Sequence, residues 1–158
     1  MDHLSSEQRS AHMARVRGRN TKPELAVRSV AHAMGLRFRL HRADLPGTPD
    51  IAFPKHRMVV LVHGCFWHRH MGCRRCSTPS SRRTFWEAKF EATVARDNRQ
   101  MRELEALGWR VVVIWECETK DPSLVRARIS GVVIRPGRKI DLLRCSPAEV
   151  GQAQSELT

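Results

Sequence analysis

No run of about 18 apolar residues occurs in the 158-residue chain, so no transmembrane helix is predicted. The opening Met1-Asp2-His3-Leu4-Ser5-Ser6 lacks the apolar core of a signal peptide, and an intracellular protein is expected. Acids are scarce. The 16 Asp plus Glu face 28 Lys plus Arg, for a net charge of +12. That balance points to a polyanionic partner, nucleic acid first, ahead of a merely solubilising surface. A basic amphipathic helix with a clean apolar face is also missing, which argues against a membrane surface as partner. There is no internal repeat. A chain this short defaults to one domain, with enough residues for a real core. Five cysteines in a reducing compartment are expected as metal ligands or inert thiols rather than disulfides.

What is present is organised around residues 50–73. Upstream, residues 1–20 are polar and basic, with Ser5 and Gln8 able to cap a short helix to about Val16. Arg9, Arg15, Arg17 and Arg19 make this segment either a disordered tail or an arm that orders on DNA. Thr21-Lys22-Pro23-Glu24 reads as a helix start with a capping box. Ala26, Val27, Val30, Ala31 and Met34 follow at helical spacing until Gly35 ends the run. Leu36 to Leu40 alternates as a half-buried strand does, and Leu45-Pro46-Gly47-Thr48-Pro49 forms a rigid turn that delivers Asp50 to the head of the next strand. Pro54 to Arg57 is a hairpin turn, and Met58 to Val62 is apolar enough for a central strand. Residues 74–84 are loop-like. Phe85 to Leu107 reads as one long helix whose apolar side carries Phe85, Trp86, Phe90, Val94, Met101, Leu104 and Leu107. Trp109 to Trp115 is a buried, central strand, and Asp121-Pro122 opens a last helix to about Val133. The expected fold is α/β, a central mixed sheet with helices on its faces. Residues 134–158 have weak periodicity and are expected to be a mobile extension.

Cys65, His70 and Cys73 follow a C-x4-H-x2-C spacing, and Cys117 closes a strand. A structural zinc takes four soft or borderline ligands in a tetrahedron, which such a loop can wrap. Cys76, three residues after Cys73, keeps the ligand choice open, and so does His68 as an alternative to His70. Buried thiols with a surface histidine are the plainer reading. Cys145 is expected as an unligated thiol. Asp50 is either a turn cap or a Mg2+ ligand. Magnesium takes hard oxygens and keeps waters, so one carboxylate with the Val62 carbonyl and phosphate oxygens suffices. His63 and His68 flank Gly64-Cys65-Phe66-Trp67, and an imidazole there can take a proton from water or orient a phosphate. Phe66 and Trp67 cannot both enter a small core, so exposed rings that stack on bases or wedge between them are expected. Trp86 is a further member of that set or a core residue.

These residues resemble the very short patch repair (Vsr) mismatch endonucleases. The matching stretches are residues 13–24 (Met13 to Glu24), Leu45 to Ile51, His63-Gly64-Cys65-Phe66-Trp67-His68, Phe85-Trp86, Leu107 to Val111, and Trp115-Glu116-Cys117. They stand in family order and cover roughly residues 6–133. The resemblance implies a restriction-endonuclease-like fold with a structural zinc site, and a nick beside a T·G mismatch that corrects deaminated 5-methylcytosine. It implies catalytic Mg2+ on Asp50 and the Val62 carbonyl, His68 as general base, His63 assisting at the phosphate, and Glu24 near the site. Zn2+ is carried over to Cys65, His70, Cys73 and Cys117. Phe66, Trp67 and Trp86 match aromatics that intercalate beside the mismatch. The basic arm, residues 1–20, matches a DNA-clasping segment through Arg15, Arg17 and Arg19, with Lys22 beside it, ahead of an endonuclease domain over residues 21–133. The implied partners are mismatched double-stranded DNA, mismatch-repair factors and a cytosine DNA methyltransferase. A monomer in the bacterial cytoplasm, on the nucleoid when DNA-bound, is expected. Two features depart from pattern. Met71-Gly72 lengthens the loop before Cys73, and His63-Gly64 stand where restriction-type sites carry a second acid and a lysine. The competing readings are a site-specific endonuclease on matched DNA and a non-catalytic, zinc-stabilised DNA-binding module.

Overall fold

A computed structural model describes residues 18–133. The expected helix up to Val16, with Arg15 and Arg17, and the extension 134–158 with Cys145 lie outside the described residues. Helix α1 spans Lys22–Ala33 and starts as its capping box dictates. The Glu24 N–H donates to Thr21 Oγ1 while Glu24 Oε1 accepts from the Thr21 N–H, so two backbone donors at the helix start are met reciprocally. Gly35, at φ +72°, turns the chain out of the helix in a conformation that suits glycine.

Strand β1 is only Arg39–Leu40, both exposed, where the alternation of Leu36 to Leu40 predicted a longer half-buried strand. Leu36 and Phe38 pack on the core beside α1 instead, since β2 gives way to a 3-10 turn at Pro54 and offers them no further strand, and His41, at φ 45°, bends the chain just after the ladder. The proline turn then carries out its expected role. The Thr48 N–H donates to the Leu45 carbonyl, and a Cβ on Gly47 would stand 2.7 Å from the Gln100 side chain. Strand β2, Ile51–Phe53, is fully buried; a short 3-10 turn and Arg57 at φ 47° lead to β3, Met58–His63.

The sheet runs β1-β2-β3-β4. β2 is antiparallel to β3, with Ile51 opposite Val60; β4, Arg110–Trp115, is parallel to β3, with Trp115 opposite His63. β3 is therefore central, as its apolar run predicts. β4 is an edge strand among the described residues, not the central strand expected, and only Val112 and Ile114 within it are buried. Its half-buried alternate residues reflect cover by helices on both faces rather than by a further strand.

Helices α1 and α3 (Pro122–Val133) cover one face, where Val27, Ala31, Ile51, Phe53, Met58, Val60, Ile114 and Ile129 form the main core. Complete burial of a side chain the size of Phe53 or Ile51 contributes about 1.5–3 kcal/mol. Helix α2, Arg83–Ala106, lies on the other face with Leu45, Ala52, Val59, Leu104 and Trp109. Only Phe90, Asp97 and Leu104 of its 24 residues are buried, one stripe at seven-residue steps. Phe85 and Leu107, expected on the apolar side, are about half exposed, at 47% and 51%. Phe85 sits in the first turn beneath Arg82 and Lys89, and Leu107 caps the helix beyond the last buried turn. No described helix is long and apolar enough to cross a membrane.

Candidate active site and metal centres

The sheet registers bring four chain segments to one edge. Asp50 enters β2 beside the C-terminal end of the antiparallel β3, and its Oδ2 accepts the Val62 N–H at 2.7 Å. The parallel β4 ends at the same edge, so the Glu116 N–H donates to the His63 carbonyl and Cys117 follows. The N–H and C=O of one strand residue face the same side. The Val62 carbonyl therefore faces the side of Asp50, while that of His63 faces β4.

Glu24, His41 and Asp50 form the first group, with one potential ligand atom from each within 4.8 Å of the others. Glu24 is 3% exposed, and its carboxylate bonds beyond the capping box. Its Oε2 accepts from the Asn20 N–H at 3.0 Å and from Arg28 at 2.9 Å. Burial raises the Asp50 carboxyl above the usual range, the Val62 N–H opposes that, and the nearby Glu24 charge adds to it. A divalent cation would relieve this crowding of negative charge. The hard oxygens of Glu24, Asp50 and the Val62 carbonyl suit magnesium.

His63, His68 and Asp97 form the second group. The imidazoles stack at 3.9 Å with planes 11° apart, and His68 Nδ1 lies 2.5 Å from Asp97 Oδ2. Burial, and then the His68 charge, depress His63 to about 3. His63 is thus neutral near pH 7, a hydrogen-bonding and packing partner rather than a cation. Burial alone would raise Asp97, but the His68 hydrogen bond and charge outweigh it and hold the carboxyl below its ordinary value. When His68 is neutral, an ionised Asp97 accepting from Nδ1 leaves His68 Nε2 as the free acceptor.

Cys65, His70, Cys73 and Cys117 form the third. His70 Nδ1 lies 3.6 Å from Cys65 Sγ and 3.3 Å from Cys117 Sγ. Ligands of a tetrahedral zinc, bonded at ordinary lengths, stand about 3.5 Å apart, so the donor set and spacing fit that ion. Burial pushes the Cys65 thiol up to about 12, whereas the Arg75 backbone N–H holds Cys73 down. Cys76 is not in the group. His68 and His70 part company because Arg69 between them adopts φ 57°, which turns successive imidazoles into different groups. The ring of His70 stacks on Trp115 at 4.2 Å.

Phe66, Trp67 and Trp86 are brought together, each half-buried. Phe66 packs edge-on against Trp67 at 5.0 Å, Trp86 at 5.7 Å and the buried Phe90 at 5.2 Å. Lys89 Nζ stands over the Trp67 ring at 5.4 Å and the Trp86 ring at 5.9 Å. Arg19 and Lys22 are exposed.

Sequence reasoning missed His41, Arg28 and Asp97. Asp97 had a signal: it occupies the middle of the buried stripe between Phe90 and Leu104, where an acid needs a partner. His41 carried none, since it meets Asp50 only after the chain bends.

The family described as DNA mismatch endonuclease Vsr matches residues 1–75. The type II nicking enzyme V.XorIIP of Xanthomonas oryzae pv. oryzae is 54% identical over 132 residues, covering 84% of this chain and 96% of that protein. The type II nicking enzyme V.NmeAIP of Neisseria meningitidis is 36% identical over 132 residues, covering 84% of this chain and 94% of the relative. The DNA mismatch endonuclease Vsr of Escherichia coli is 41% identical over 109 residues, covering 69% of each chain.

Proposed function

Because the chain belongs to the Vsr family of DNA mismatch endonucleases, we propose that it nicks one strand of duplex DNA beside a T·G mismatch by Mg2+-dependent hydrolysis. It is a DNA endonuclease, a hydrolase of phosphodiester bonds, and the non-catalytic DNA-binding module is set aside. The observation that carries the mechanism is His68, fixed between the Asp97 carboxylate and the stacked His63 ring at the edge where Asp50 stands.

Asp50 and the Val62 carbonyl would hold the magnesium, with Glu24 at the same group, and the ion would supply Lewis-acid stabilisation of charge on the phosphate. His68 Nε2 takes the proton of the attacking water, and Asp97 fixes its tautomer and stabilises the imidazolium that forms. His63, kept neutral by burial, orients His68 by stacking and offers a ring nitrogen to the phosphate. Cys65, His70, Cys73 and Cys117 would hold zinc, which would fix the loop bearing both His68 and the rings of Phe66 and Trp67. Those rings, with Trp86, wedge beside the mismatch. Unstacking a step takes a few kcal/mol and least where the pair is already weak. Arg15, Arg17, Arg19 and Lys22 grip the backbone. Correction of deaminated 5-methylcytosine would place a cytosine methyltransferase and mismatch-repair factors alongside it, on a restriction-endonuclease-like framework.

A second reading has support, since relatives bear the name type II nicking enzyme: site-specific nicking of matched DNA. One assay separates them. A labelled T·G duplex and its T·A twin are incubated with protein and Mg2+; preferential nicking of the T·G duplex, abolished by Asp50→Ala with mismatch binding retained, is expected. Equal cutting of both duplexes would move the reading to matched DNA.

A further inference from the structure

We propose that His41 is a metal-selecting ligand, which with Glu24 and Asp50 makes a mixed oxygen–nitrogen site that binds Mn2+ in preference to Mg2+. This rests on the proposed hydrolytic site and deepens it by naming the cation that the site prefers.

Three segments supply the donors: Glu24 from the first turn of α1, His41 from the bend after β1, and Asp50 from the entry to β2. His41 is held in place by its backbone. Its N–H donates to the Asp50 carbonyl at 3.3 Å, and its φ of 45° is unusual for a non-glycine residue.

The tautomer follows from the neighbours. Arg28 Nη2 stands 3.2 Å from His41 Nε2, and a guanidinium only donates. Nε2 therefore carries the lone pair, and Nδ1 carries the proton. The same Nε2 faces Glu24 Oε2 at 3.8 Å, an acceptor opposite an acceptor. A cation or a double donor between them satisfies both. Arg28 Nη2 now does so, bonding Glu24 Oε2 at 2.9 Å as well. Its accommodation is poor, because its Nε is buried without a hydrogen-bond partner. Arg28 is thus a stand-in cation, and its Nη1 bond to Asn20 Oδ1 at 2.8 Å gives it a place to remain when a metal takes the ligands.

The donor set decides the preference. Magnesium wants an octahedron of hard oxygens and gives up water reluctantly. Imidazole suits first-row transition ions, and manganese is the member of that row that shares magnesium's carboxylate and carbonyl ligands. Adding a neutral nitrogen to two carboxylates shifts the balance toward Mn2+.

The test is Mn2+ binding by the full-length protein, followed by electron paramagnetic resonance, with Mg2+ as competitor. In the wild type, bound Mn2+ should show spin-echo modulation from a directly bound nitrogen. His41→Gln should lose that modulation and bind Mn2+ about tenfold more weakly, with Mg2+ affinity changed far less. His41→Asn serves if the glutamine variant misfolds. Absence of nitrogen modulation in the wild type, its persistence in the variant, or an equal loss for both metals would overturn the proposal. Asp50→Ala provides the separation. Mn2+ binding that needs Asp50 but not His41 refutes this inference alone, whereas Mn2+ binding that ignores Asp50 also refutes the hydrolytic site.

Discussion

A carboxylate on the buried face of a helix is unfavourable unless a charged or hydrogen-bonded partner meets it, and Asp97 meets His68. That pairing makes Asp97 a positioning group for the imidazole rather than a stabilising ion pair. Asp97→Asn keeps the shape but can stabilise the wrong tautomer, so single-turnover nicking should fall by about 10²–10⁴-fold while DNA affinity holds. Unchanged nicking would remove His68 from the role of base. His63 bears on stability instead. Unfolded, it takes up a proton near 6.5; folded, it resists down to about 3. Between these values the unfolded chain binds more protons, so stability rises with pH through the window and is lost as pH falls. At about pH 5 the loss is up to about 2 kcal/mol. His63→Gln should flatten the dependence of the melting temperature on pH between about 5 and 7.5, and an unaltered slope would refute the assignment. At this scale the sequence singled out Asp50, His63, His68 and the cysteines that the fold gathers, because each lies at a strand end or in a short spacing pattern. It hid His41, and it marked Asp97 only as an acid on a buried stripe without naming its partner, because these contacts form only through the sheet register and the packing of α2.

The zinc-type loop shows what an element can encode and what it cannot. Its spacing singled out Cys65 and Cys73 but kept Cys76 open as a further ligand and left His68 and His70 interchangeable. The left-handed Arg69 separates them, and no composition rule anticipates a positive φ at arginine. The same limit explains β1. Alternation in Leu36 to Leu40 was read as apolar and polar, yet only Arg39 and Leu40 pair, because β2 ends at Phe53 and the 3-10 turn from Pro54 leaves the residues before them no strand to face. By contrast α1 was readable to its first turn, because a capping box is local chemistry. If the loop depends on zinc, Cys117→Ser removes the ligand that ties it to β4. About one zinc per chain is expected by metal analysis of the wild type, and the variant should lose most of it along with more than about 4 kcal/mol of stability. Full zinc occupancy in a Cys65, Cys73 and Cys117 triple variant would refute the assignment.

For the whole molecule, charge and wedge make separable contributions to DNA binding. The net charge of +12 acts on any duplex, matched or not, through release of counterions. In the proposed wedge, the rings of Phe66, Trp67 and Trp86 would act only where a step can be opened, and they gather with Trp86 of α2. If six to ten phosphates are neutralised, log affinity should fall with log salt at a slope of about −5 to −9, equally for T·G and T·A duplexes. Replacing Lys89, which stands over the rings, should reduce that slope by about 1 on both duplexes if its ammonium meets a phosphate. Trp67→Ala should leave the slope alone and shrink the T·G preference instead, since stacking on a base is worth about 1–3 kcal/mol and carries no charge. Fluorescence anisotropy over a salt series, run on both duplexes with both variants, reads the two terms independently. A Trp67→Ala protein that keeps its full T·G preference would show that recognition of the mismatch does not pass through the aromatic cluster, and would return the rings to the packing role that Phe90 already fills.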